Sequence, residues 1–119
     1  MRVCVFEDRA ENLAHDADHR SYYSLALARA VAPLRVLIEL ALPFLRVGGY
    51  LATPKGSGAD REVREAANAL GVFGGIVELV KPLDVSGPGP SPTLIIVRKT
   101  ADTPERYPRR AGIPGKRPL

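Results

Sequence analysis

Tyr22-Tyr23-Ser24-Leu25-Ala26-Leu27-Ala28, then Pro33-Leu34-Arg35-Val36-Leu37-Ile38-Glu39-Leu40-Ala41, then Gly48-Gly49-Tyr50-Leu51-Ala52-Thr53, reads as strand, helix, strand. The first run is apolar with aromatics at its start and reads as a strand. Pro33 suits a first helical position, where its missing N–H would be unpaired anyway. Leu34, Leu37, Ile38, Ala41 and Leu45 recur at helical spacing, which leaves Arg35, Glu39 and Arg46 to the surface. Pro43 should kink or shorten this helix, because it lacks a donor and its ring crowds the preceding turn. Gly48-Gly49 is expected to end it, with the next strand over Tyr50 to Thr53.

Outward from this unit the alternation continues. Val3 to Phe6 is a short apolar run read as a strand, leading into good helix formers at Arg9-Ala10-Glu11-Asn12-Leu13-Ala14. Asp16 to Ser21 is a polar break. Ser57 to Asp60 offers caps for a helix through Leu70, with Val63, Ala66, Ala67 and Leu70 as its stripe and Gly71 as its stop. Ile76 to Val80 and Leu94 to Val97 are strands with no helix between them, so an antiparallel hairpin is the natural pairing. The order β-α-β-α-β-α-β-β predicts an α/β layer fold with a mostly parallel sheet.

Composition narrows the function. The chain has 119 residues, 45% apolar and 25% charged, which suits one small globular domain. No apolar run approaches the roughly 18 residues of a membrane span, and Glu7-Asp8 turn the start acidic too soon for a secretory leader. A single cysteine cannot staple the chain, which fits a reducing cytoplasm. Residues 98–119 hold seven basic side chains against two acidic ones, while the other 97 residues hold ten against eleven. The net +4 therefore comes entirely from the C-terminal end, as expected of a segment that meets a polyanion or of a solvated tail.

These residues carry a family resemblance. Arg29-Ala30-Val31-Ala32-Pro33-Leu34, Gly48-Gly49, Lys55-Gly56 and the tail from Lys99-Thr100 through Thr103-Pro104-Glu105-Arg106-Tyr107-Pro108-Arg109-Arg110-Ala111-Gly112-Ile113-Pro114 to Pro118-Leu119 resemble the C-terminal half of one family. It is the small-subunit ribosomal RNA guanine-N7 methyltransferases, also called glucose-inhibited division protein B. The resemblance implies a partial Rossmann-like methyltransferase sheet over residues 1–99, lacking its first two strands, and a basic Pro-rich tail over 100–119. It implies S-adenosyl-L-methionine as cofactor, small-subunit ribosomal RNA as partner and the cytoplasm as location. Arg9, Ala10 and Glu11 resemble the family segment along the adenine, and Arg29 the arginine beside the cofactor. Lys55 stands where the family has a basic residue facing the substrate, and Arg106, Tyr107, Arg109 and Arg110 would meet RNA.

Each residue also has a plainer reading. Lys55 could be an ordinary loop lysine, and Arg29 a helix-entry arginine tied to a carboxylate. Tyr107 could pack on the body while its arginines stay solvated. With the first two strands absent, Val3–Phe6 and Tyr22–Ala28 should each expose a ladder edge. The Gly-rich cofactor loop is also missing, so the chain alone should bind cofactor weakly or not at all. The alternative function is a non-enzymatic, basic RNA-binding remnant. His15 and His19, four apart with Asp16 and Asp18 nearby, have too few companions for a metal site, and no metal is expected. Cys4 in its apolar run reads as a small buried hydrophobe.

Overall fold

The computed structural model describes residues 10–29, 32–84, 87–89 and 91–119. The expected strand Val3–Phe6, with Cys4, lies outside the described residues. The elements are α1 (Ala10–Leu13), β1 (Tyr23–Leu27), α2 (Leu34–Ala41), a 3-10 turn (Leu42–Phe44), β2 (Leu45–Lys55), α3 (Ala59–Glu65), α4 (Ala67–Phe73), β3 (Gly75–Pro82), β4 (Thr93–Lys99) and α5 (Ile113–Lys116).

Pro33 stands at the threshold of α2 with φ −57° and ψ 151°, one residue before the first helical position. The Leu34 N–H donates to Glu62 Oε1 at 2.9 Å, so a carboxylate from α3 caps α2. Pro43 shortens the helix as expected, because the chain tightens into the 3-10 turn at Leu42. The strand boundary differs from the sequence reading: β2 begins at Leu45 and runs eleven residues to Lys55. Leu45 fits a helical stripe and an inward strand position equally well, so periodicity alone misplaces it. Gly48-Gly49 therefore lies inside β2 rather than ending a helix. Tyr23 pairs with Leu45, but Leu25 pairs with Tyr50, so β2 bulges between them. Gly48 takes φ +90°, and a Cβ on Gly49 would come within 3.2 Å of the carbonyl oxygens of Tyr23, Ser24 and Arg46.

The segment after β2 also departs from expectation. Two short helices replace one, with a break at Ala66, and Gly71 sits within α4. Gly74, at φ +74°, is the real stop, since a Cβ there would lie 2.5 Å from the Ala101 carbonyl oxygen. Continuing to Phe73 puts that ring fully into the core. Ala69 and Phe73, rather than Ala67, complete the buried stripe with Ala66, while Val63 and Leu70 pack beside it.

The strand order is β1-β2-β4-β3. β1 and β2 are parallel, and β4 is antiparallel to both β2 and β3, so three strands share one direction and β4 opposes them. The hairpin is formed as expected, with β4 inserted between β2 and β3. Leu51, Thr53 and Lys55 on β2 and Ile95, Val97 and Lys99 on β4 are buried. With Leu34, Ile38, Leu42, Ala66, Ala69 and Phe73 from the helical layer, the apolar members of this set form one core. Lys99 adds a pin: its Nζ donates to the Leu42 and Leu45 carbonyls at 3.0 and 2.7 Å, tying the 3-10 turn to β4.

The other sheet face is different. Leu25, Tyr50, Ala52, Leu79 and Ile96 line an open concavity of about 500 Å³ there. Leu25, Tyr50 and Leu79 are exposed, as is Ile76 at the far end of β3. β1 closes the described sheet as an edge strand, with Leu27 77% exposed. Among the described residues, then, the sheet is covered on one face, and β1 has a partner on one side.

Candidate functional site

In sheets with parallel strands, ligand loops gather at the carboxyl ends of those strands. Here β1 ends at Leu27 and runs on to Arg29, which is exposed, while β2 ends at Lys55 and opens into Gly56-Ser57-Gly58. The Ala28 N–H donates to the Ala52 carbonyl at 3.1 Å, holding the exit of β1 against β2. A crevice of about 420 Å³ lies at this end, between Ala32-Pro33 and the Gly56–Gly58 loop, with Lys55 and Glu62 in its wall.

Lys55 does not project from this crevice. It is 4% exposed, and its ammonium meets Glu62 Oε1 at 3.1 Å and donates to the Ala32 carbonyl. Glu62 thus receives both the α2 cap and the lysine, joining α3, the end of β2 and the entry to α2. The site residue expected to steer RNA spends its charge building the crevice wall.

The first segment is organised by the tail. Arg9 lies outside the described residues, and Ala10 opens α1. Glu11 is buried, and its Oε2 accepts the Gly112 N–H at 2.9 Å. His15 Nε2 donates to the Pro108 carbonyl, and His19 Nδ1 hydrogen-bonds the Tyr23 hydroxyl at 3.0 Å. A mostly apolar cavity of about 350 Å³ lies between this segment, β1 and α2, with Leu13, Tyr23, Leu37 and Phe44 among its lining residues.

The tail is a strap fastened to the body. Arg20 Nη1 donates to the Ala14 and Tyr107 carbonyls at 3.0 and 2.6 Å, and Nη2 to those of Thr103 and Pro104 at 3.3 and 2.9 Å. Tyr107 packs edge-on against Phe73, with centroids 4.8 Å apart, and the Arg106 guanidinium lies 5.0 Å above the tyrosine ring. Arg109 turns inward to Glu39 on α2: its Nη2 donates to Oε1 at 2.8 Å, and its backbone N–H to Oε2 at 2.8 Å. That hydrogen bonding raises the Arg109 pKa further above its ordinary value. Arg106, Arg110, Lys116 and Arg117 are exposed. Of the residues expected to meet RNA, Tyr107 and Arg109 face the body, while Arg106 and Arg110 face outward.

Sequence reading missed Arg20, Glu39, Glu62 and Lys99. Glu39 falls outside the stripe of Leu34, Leu37 and Ile38, and is buried because the strap covers that side of α2. An acidic residue amid a buried helix, in a chain with a basic end, was the available signal.

Three co-directional strands with an inserted antiparallel strand, and crossover helices packed on one face, make this a Rossmann-like α/β domain. The sequence matches the family described as rRNA small subunit methyltransferase G over residues 2–86. Ribosomal RNA small subunit methyltransferase G of Chloroflexus aggregans is 45% identical over 117 residues, covering 98% of this chain and 49% of that protein. Its counterpart in Staphylococcus carnosus is 43% identical over 118 residues, with 98% and 49% covered. A crystal structure of an rRNA methylase from Streptococcus thermophilus superposes with a TM-score of 0.51 at 28% identity, over 81% of this chain and 57% of that one. The chain belongs to the rRNA small subunit methyltransferase G family, and it spans about half the length of the curated relatives it matches. Among the described residues, no helix is long and apolar enough to cross a membrane.

Proposed function

We propose that this chain forms the C-terminal half of an S-adenosylmethionine-dependent methyltransferase acting on guanine N7 of small-subunit ribosomal RNA in the cytoplasm. The observation that carries the reading is the sheet itself: the chain covers about half of its relatives' length, and among the described residues the β1 edge and one apolar face lie open. Both openings suit the strand and helices that a further half would bring.

The residues present suit one wall of a cofactor site. Arg29 offers an exposed guanidinium at the exit of β1, and the α1 segment borders an apolar cavity beside it. No glycine stands between Phe6 and Leu13, which supports placing the backbone donors for the methionine end on the other half of the family fold. When bound, S-adenosylmethionine supplies an electrophilic methyl group. Guanine N7 carries a free lone pair and no proton, so the protein needs no general base there, and its work is alignment and exclusion of water. Lys55 and Glu62 fix the crevice wall that an incoming base would meet. Arg106 and Arg110 hold the RNA backbone electrostatically.

A methyl-transfer assay tests this. The chain, the N-terminal half of the Chloroflexus aggregans relative and small-subunit RNA are incubated with methyl-labelled cofactor. Label is expected only with both halves present, at a guanine that becomes sensitive to reductive aniline cleavage. Label at another guanine atom would remove the N7 assignment. No label from a demonstrated complex of the two halves would remove the enzymatic reading.

A further inference from the structure

We infer that Glu39 is a positioning residue for RNA binding: it locks Arg109 inward so that the strap offers Arg106, Arg110, Lys116 and Arg117 to the polyanion as a fixed array. This rests on the reading that the strap faces RNA. Glu39 is 1% exposed and meets Arg109 through Nε at 3.1 Å and Nη2 at 2.8 Å, as well as through its backbone N–H. Arg109 Nη2 also donates to the Arg117 carbonyl at 2.6 Å, so one guanidinium ties two points of the strap to α2. Three residues on, Gly112 is held by Glu11, and Pro108 is held by His15.

Along the strap Tyr107 and Arg109 thus turn inward, while Arg106, Arg110, Lys116 and Arg117 are exposed. Arg109, neutralised by a buried carboxylate, contributes geometry rather than charge. A fixed array binds more tightly than the same charges on a loose tail, because less ordering is left to complete on binding. A lock that needs a planar fork also explains arginine rather than lysine at this position.

Local charge and the lock make opposite predictions for Glu39→Gln. On charge alone, removing an anion beside a polyanion site tightens binding slightly. With the lock, binding weakens by about tenfold as the strap loosens. The full chain is titrated with a fluorescent fragment of small-subunit rRNA at fixed salt, and circular dichroism checks the fold at the assay temperature. Arg109→Lys provides a second variant that keeps the charge at a partly exposed site. The lock predicts a comparable loss, whereas a direct phosphate contact predicts affinity within about twofold of the original. The double variant should be no weaker than either single one. Unchanged or tighter binding by Glu39→Gln, or by Arg109→Lys if the first does not fold, overturns the lock alone. Failure of the unaltered chain to bind RNA overturns the reading of the strap beneath it.

Discussion

Phe73→Ala should lower the folding free energy by about 3–5 kcal/mol, the range for truncating a fully buried aromatic. Phe73 has no exposed surface and lies in the core with Leu42, Ala69 and Val97. It also serves as the floor of the strap, since Tyr107 packs edge-on against it and its carbonyl accepts the Thr103 hydroxyl at 3.0 Å. Truncation removes core volume and loosens the strap together. Urea unfolding followed by circular dichroism measures the effect, and a loss below about 1 kcal/mol would show that Phe73 is not a core residue. Tyr107→Phe, which keeps the ring, is the matched control and should cost little.

The second large effect is a pH dependence centred on Lys99. Burial pushes its pKa down from 10.5 to about 8; Arg20 adds to the depression and Asp102 opposes it. In the unfolded chain the group returns to 10.5, so between about pH 8 and 10.5 the unfolded state binds more protons than the folded state. Stability from this group therefore rises as pH rises through that window, by up to about 3 kcal/mol. The neutral amine keeps enough N–H groups to serve both the Leu42 and Leu45 carbonyls. Lys99→Met removes the titration. The stability difference between the two proteins should shift in favour of the lysine form by roughly that amount from pH 7.5 to 10.5. A difference that stays flat would mean that Lys99 is not desolvated.

The layer order was legible because it rests on local signals. Apolar runs, Pro33, Pro43 and the Pro/Gly-rich link before Thr93 mark where strands and helices can stand. The β3–β4 hairpin was legible for the same reason. Two boundaries were not. Leu45 satisfies both helical and strand periods, and the choice falls to pairing with Tyr23, which is a tertiary fact. Gly71 and Gly74 look alike in sequence, but only Gly74 meets a neighbour so close that a side chain would collide.

The site was less legible, because a charge in a sequence does not name its partner. Arg109 and Glu39 are 70 residues apart, and nothing local joins them. Lys55 looked like a ligand-facing lysine by its place after a strand, yet Glu62, one helical segment away, takes its charge. Arg20 stands in an apparent polar break and gathers four carbonyls from both ends of the chain.

On the function proposed above, these residues supply one wall of a methyl-donor pocket whose other wall lies on the N-terminal half of the family's fold. Calorimetric titration with S-adenosylmethionine tests it most directly, first on the chain alone and then with the N-terminal half of the Chloroflexus aggregans relative added. The expected result is no heat of binding at millimolar cofactor for the chain alone, and saturable one-to-one binding once the two halves combine. Saturable binding by the chain alone, or none by a demonstrated complex of the two, would contradict it.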